Sequence, residues 1–213
     1  MNNKCKHCGL PNFAAEKACR RCGRVPGLVK TPLVYTVLKR FLVLVVVCVI
    51  AVAGFYFSLL FSADPLILTE KQQVQAAINL IEAKGFKDEA FLLKHVAAFR
   101  GSDNWLNASV EKENAYAATN FPFEIVTIYS EFFTLPADDT ERAAVLLHEG
   151  KHLQGMDEHD AYEFVWKNRS RLGWTAEAYG KSEVWQNVRK QTREYLPGMF
   201  ICEFNDFGDC TAR

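Results

Sequence analysis

Two sets of residues in this 213-residue chain have the types and the spacing to do chemistry. The first is His148-Glu149-Gly150-Lys151-His152. Two histidines four positions apart share one face of a helix, so both imidazoles can reach one metal ion. Glu149 lies about 100° around the helix from His148. It can reach a water on that ion without taking a ligand position. The second set is Cys5, Cys8, Cys19 and Cys22, a C-x2-C pair repeated after ten residues. Four thiolates at this spacing suit a tetrahedral zinc ion. Two residues between ligands let a tight turn aim both sulfurs at one ion. The glycine after each pair (Gly9, Gly23) permits the left-handed backbone that such a turn needs.

The cysteine arrangement resembles a zinc ribbon, expected over residues 1–27. A segment this small cannot fold on a hydrophobic core, so metal would supply the folding energy. His7, inside the first knuckle, reads as solvent-facing and not as a ligand. Cys48 falls in an apolar run and reads as packing. Cys202 and Cys210 sit in the turn-rich stretch ICEFNDFGDC, where a disulfide would pin the tail.

These sites are separated by a strong charge division. Residues 1–40 hold nine basic residues and one acid, a net of +8. Residues 41–62 (FLVLVVVCVIAVAGFYFSLLFS) hold no charge, and residues 63–213 hold the remaining 16 basic and 24 acidic residues, a net of −8. A uniformly soluble globule is therefore not the simplest reading. Twenty-two uncharged residues make a helix roughly 33 Å long, enough for a bilayer core of about 30 Å. A cleaved signal peptide is not expected, because the run begins 40 residues into the chain. Lys30, Lys39 and Arg40 precede it and Asp64 follows it. The positive flank predicts a cytoplasmic N-terminus, a basic linker over 28–40, a single membrane span over 41–62 and an outer domain over 63–213. The reducing cytoplasm favours zinc over disulfides for the first four cysteines, and the oxidising exterior permits the Cys202–Cys210 pair.

The outer domain must position the histidines. Thr69–Ala83 has Val74, Ala77, Ile78 and Ile81 at helical spacing. Residues 88–100 read as a second helix. Residues 114–119 and 124–133 are strand-like, the latter (EIVTIYSEFF) dense in β-branched and aromatic residues. The motif helix follows. It opens with Asp138 and Glu141 in a capping-box pattern and meets a natural stop at Gly155. Residues 175–195 are helical again. The predicted class is α+β: a four-cysteine zinc ribbon, one transmembrane helix and a mostly helical outer domain with a small sheet.

LLHEGKHLQG, preceded by EIVTIYSEFF and followed by DEHDAYEF, resembles the zincin metallopeptidases, and most of all the gluzincins. The resemblance covers residues 114–170. It implies a strand and then a helix carrying H-E-x-x-H, with a third ligand from a downstream helix. That ligand is often the Glu of an E-x-x-A-[D/N/Y] pattern, which Glu158-His159-Asp160-Ala161-Tyr162 fits. Glu158 follows His152 by only six residues, a shorter interval than many gluzincins have. The chain also reads H-E-x-x-H-x-x-G-x-x-E, similar to the metzincin pattern with Glu158 in place of the third histidine. Gly155 would let the chain reverse and bring Glu158 to the metal. Glu163, further along a short helical hairpin, is the competing third ligand. His159 and Asp160 are weaker candidates.

Three protein ligands leave a fourth zinc position for water. Zinc would lower that water's pKa towards about 7, and Glu149 would act as general base. Tyr162 or His159 could donate to the oxyanion. Strand 124–133 could be an edge that pairs with extended substrate. The expected function is a membrane-anchored zinc metalloprotease cleaving peptide or protein substrates at the cell surface or in a periplasm. Two zinc ions are expected, one catalytic and one structural. The bilayer and a cytoplasmic protein partner of the ribbon are the other expected contacts. The alternative is a non-catalytic zincin-like scaffold or sensor, with the ribbon as its functional end. Basic residues in the first 40 positions permit nucleic-acid contact, but membrane orientation already explains the charge, so no nucleic-acid partner is expected.

Overall fold

The computed structural model describes residues 3–12, 16–25, 33–107 and 116–200. The chain divides into two units, Met1–Gly54 and Phe55–Arg213. The first begins with two-residue strands β1 (Asn3–Lys4) and β2 (Pro11–Asn12), paired antiparallel with Asn3 opposite Asn12. Cys5 and Cys19 are buried there.

Helix α1 spans Leu33–Phe61. It starts eight residues before the predicted span and carries Lys39 and Arg40 in its second turn. At 29 residues it is roughly 43 Å long. It is long and apolar enough to cross a membrane. From Phe55 onward the helix belongs to the second unit. Leu59 is fully buried, and Leu60 O accepts from Arg100 Nε at 3.2 Å. Asp64 just beyond is held on both sides: its N–H donates to Ser102 Oγ at 2.8 Å, and its carbonyl accepts from Gly101 N at 2.8 Å.

Helix α2 (Leu68–Ala83) matches the predicted apolar periodicity, burying Val74, Ala77, Ile78 and Ile81. Helix α3 (Lys87–His95) stops short of the predicted Arg100. Ala98–Arg100 instead forms strand β3. The reason is tertiary: β3 lies parallel to β5 (Ile125–Ile128), with Phe99 opposite Val126. That ladder satisfies backbone groups which a fraying helix end would leave open. Strand β4 (Ala117–Asn120) pairs antiparallel on the other side of β5, giving the order β3-β5-β4. All four β5 residues are buried. A strand buried on both faces belongs in the middle of a sheet, so among the described residues β4, and not residues 124–133, is the edge strand beside the motif helix. The predicted strand also ends early, at Ile128, and α4 (Ser130–Thr134) follows.

Helix α5 (Asp139–His152) begins at N-cap Asp138, whose side chain accepts from Thr140 N and Glu141 N. Glu141 departs from a simple capping box. Its Oε2 accepts from Ala137 N at 2.8 Å, and its Oε1 accepts from Trp174 Nε1 at 3.3 Å and from Ser182 Oγ. A fully buried carboxylate thus ties the start of α5 to later segments. Helix α6 (Glu158–Leu172) runs back along α5. The predicted final helix is two: α7 (Ala176–Tyr179) and α8 (Glu183–Tyr195), followed by a 3-10 turn, Pro197–Met199. Trp166, Trp174 and Trp185 are fully buried against one another, with ring centroids 4.7–6.1 Å apart. The fold is α+β, mostly helical with one three-stranded sheet. Cys202 and Cys210, expected to pair, lie outside the described residues.

Candidate metal centres

The four N-terminal cysteines come together. Cys5 Sγ is 3.7 Å from Cys22 Sγ, and Cys8 Sγ is 3.5 Å from Cys19 Sγ. Thiolates about 2.3 Å from a tetrahedral zinc lie roughly 3.8 Å apart, so these separations fit one ion. Each knuckle closes the same way. Gly9 N donates to Cys5 O and Gly23 N to Cys19 O, both at 2.8 Å, and both glycines have positive φ. Backbone N–H groups of Cys22 and Arg21 hold the Cys19 thiol down to about 6. Those of Cys8 and His7 lower Cys5. The N–H of Leu10 also lowers Cys8, but burial and the neighbouring thiols outweigh it and push Cys8 up to about 11. His7 is exposed and meets Arg24 Nη1 at 3.3 Å, away from the sulfurs.

The second cluster is His148, His152 and Glu158. His148 Nε2 lies 3.0 Å from His152 Nε2 and 3.1 Å from Glu158 Oε2, and His152 Nε2 is 3.4 Å from Glu158 Oε1. Ligands about 2.0–2.1 Å from a tetrahedral zinc lie roughly 3.3 Å from one another, so two imidazoles and a carboxylate here also fit one ion. The histidines share a face because they are four apart on α5. Glu158 reaches them because the chain reverses between Leu153 and Asp157. Gly155 takes φ 78° in that turn, where a residue with a side chain would be strained. Glu158 then stands first in α6, level with the last turn of α5.

Glu163 is five residues further along α6, about 140° around the helix and roughly 7.5 Å down it. It faces elsewhere and pairs with Lys167 at 2.7 Å. His159 and Asp160 form a separate exposed group with Asp157.

The electrostatics of the cluster are mutual. His148 and His152 hold the Glu158 carboxyl well below the ordinary carboxylate range. Burial alone would lower the His152 pKa, but Glu158, Glu149 and the Met156 carbonyl outweigh it and raise it to about 9. His152 Nδ1 is 2.9 Å from Met156 O, a contact of the kind that would orient a ligand imidazole with Nε2 towards a metal ion. His148 Nδ1 is buried with no such partner among the described residues. Its ring packs instead on Tyr162, centroids 4.3 Å apart.

Glu149 stands beside the cluster. It is buried, and its Oε2 accepts from Thr119 Oγ1 at 2.7 Å. Thr119 is on β4, and nothing in its local sequence marks it. Tyr162 lines the same cleft, but its hydroxyl donates to Gln191 Oε1 at 2.8 Å. Burial and the nearby Glu158 and Glu149 raise its pKa, so the phenol stays neutral. The cleft holds about 660 Å³ between β4, α5, α6 and α8. Its far wall comes from α8 through Asn187, Gln191, Glu194 and Tyr195. Those positions fall on one helical face, a pattern present in the sequence that the motif overshadowed.

Compared with known proteins, the chain matches no family model, and no curated protein or solved structure is significantly similar to it.

Proposed function

We propose that this chain is a membrane-anchored, zinc-dependent metallopeptidase. The observation that carries the reading is the convergence of His148 Nε2, His152 Nε2 and Glu158 within 3.4 Å, with the Glu149 carboxylate held apart from them by Thr119. Two imidazoles and one carboxylate from the protein suit a zinc site with one position open. Zinc bound there would polarise a carbonyl and make hydroxide available near neutral pH. The other roles belong to the chain. Glu149 takes the proton of the attacking water and returns it to the leaving amine. Thr119 fixes the rotamer from which it does so. Among the described residues strand β4 has β5 on one side only, and its other edge can pair with an extended polypeptide lying in the cleft. With its hydroxyl donated to Gln191, Tyr162 serves as a wall and a support for His148 more readily than as an oxyanion donor.

Helix α1 is the anchor in this reading. Its basic flank keeps the four-cysteine ribbon in the cytoplasm, where thiols stay reduced and a protein partner is within reach. The outer domain then faces a periplasm or the cell exterior.

The test uses the purified full chain in detergent or nanodiscs. Zinc-loaded protein should cleave an unfolded protein such as casein, and Glu149→Gln should stop cleavage while zinc stays bound. Zinc binding with no cleavage of any polypeptide would favour a binding scaffold. Failure of His148 and His152 to bind zinc would end the metallopeptidase reading.

A further inference from the structure

The aromatic residues beside the last turns of α1 point to a second contact with the bilayer. Phe55 lies six residues before the end of α1, about 9 Å inside the apolar run. Two segments of the outer domain reach that depth. Trp105 meets the Phe55 ring edge-on at 5.6 Å, and its Nε1 donates to Ser58 Oγ at 3.2 Å. Phe123 also meets the Phe55 ring, tilted, with centroids 5.2 Å apart. The Trp105 backbone N–H is bonded to Ser62 Oγ at 3.2 Å, so this segment is fixed to the helix and does not merely lie near it.

Three side chains of these segments are exposed among the described residues. Trp105 is 51% exposed, Leu106 37% and Phe121 57%. Polar groups beside them turn inward: Asp103 accepts from Tyr129 at 2.7 Å, and Arg100 donates to Phe99 O and Leu60 O. Apolar side chains at the level of a spanning helix, with an indole N–H already bonded, suit the headgroup–acyl boundary.

The same surface borders the candidate metal site. Phe121 lines the cleft with His148, Glu149 and His152, and a Cβ on Gly155 would lie 3.5 Å from its ring. Only Pro122 separates Phe121 from Phe123, so their Cα atoms are at most about 7 Å apart. One short loop therefore touches both the end of the membrane helix and the rim of the cleft.

We infer that Trp105, Leu106, Phe121 and Phe123 seat in the membrane interface and hold the mouth of the cleft at the lipid surface. The inference rests on the reading of α1 as a membrane anchor. It deepens the proposed function by naming the substrate class, polypeptide segments that lie against or emerge from the bilayer. A protein held on a flexible stalk would sample soluble chains freely. This one is docked on its own helix end.

The chain supplies its own probe. Of four tryptophans, Trp166, Trp174 and Trp185 are fully buried, which leaves Trp105 as the one that lipid can touch. The full chain is reconstituted in phosphatidylcholine vesicles whose acyl chains are brominated near the headgroup. Tryptophan emission should be lower than in unbrominated vesicles, and the difference should vanish in Trp105→Phe. Phe57→Trp in the Trp105→Phe background reports on α1 independently. Quenching at position 57 without quenching of Trp105 would overturn the interfacial seat and leave the anchor standing. Quenching at neither position would overturn both.

Discussion

Thr119 Oγ1 donates to Glu149 Oε2 at 2.7 Å across thirty residues of sequence, linking the edge strand to the motif helix. The hydroxyl fixes a carboxylate that would otherwise be free to swing towards His148 and His152. A hydrogen bond to a charged group contributes about 1.5–3 kcal/mol. Thr119→Val should therefore lower kcat for peptide cleavage about 10- to 100-fold, leave bound zinc unchanged, and be largely rescued by Thr119→Ser. Turnover and metal content measured on the same samples check this.

Glu158 and Glu163 differ in geometry, and their variants should differ in kind. Glu158→Gln removes a carboxylate that meets both histidines and should weaken zinc binding by at least about a hundredfold, beyond the range typical of outer-shell changes. Glu163→Gln breaks only an exposed pair with Lys167. It should leave affinity unchanged in competition with a chromophoric chelator.

Metal stoichiometry separates the two clusters. The full chain should bind two zinc ions. Cys19→Ser should remove one and His152→Ala the other, with the double variant binding none. Elemental analysis after gel filtration reads this directly. Stripping metal should cost the four-cysteine segment its fold and leave helices α2–α8 intact, because the small N-terminal segment lacks a hydrophobic core of its own.

Lys151 and Glu89 form a buried pair at 3.0 Å, with Lys151 Nζ also bonded to Gln154 and lying over the Phe164 ring. Lys151→Met would leave Glu89 buried without its cation and should cost about 3–5 kcal/mol in chemical denaturation. Replacing both residues, as Glu89→Leu with Lys151→Met, should cost much less.

Asp138 caps α5 and accepts from Tyr179 OH at 2.6 Å as well as from two backbone N–H groups. Burial would raise its pKa, but Tyr179 and the Thr140 and Glu141 N–H groups outweigh that and lower it. A carboxyl with a depressed folded-state pKa stabilises the fold above its unfolded value, near 3.9, and loses that contribution as pH falls through the folded value. Asp138→Ala should cost about 1 kcal/mol at pH 7. The gap from the parent protein should close as pH drops below about 4, as thermal melts across pH would record.

Much of this arrangement can be read without coordinates, because it depends on local periodicity. Each C-x2-C pair aims two sulfurs the same way because each knuckle is a short turn. His148 and His152 share a face because four residues are close to one helical turn, and α1 follows from an uninterrupted apolar run. Other features depend on contacts between distant segments. Ala98–Arg100 is a strand only because β5 lies beside it, and β5 is central only because β3 and β4 flank it. The choice between Glu158 and Glu163 is made by the turn at Gly155, which sets α6 against α5. Thr119, Lys151 and Trp105 look like ordinary surface residues in the sequence. Each takes its role from a partner 30 or more positions away, which local pattern cannot encode and tertiary packing alone supplies.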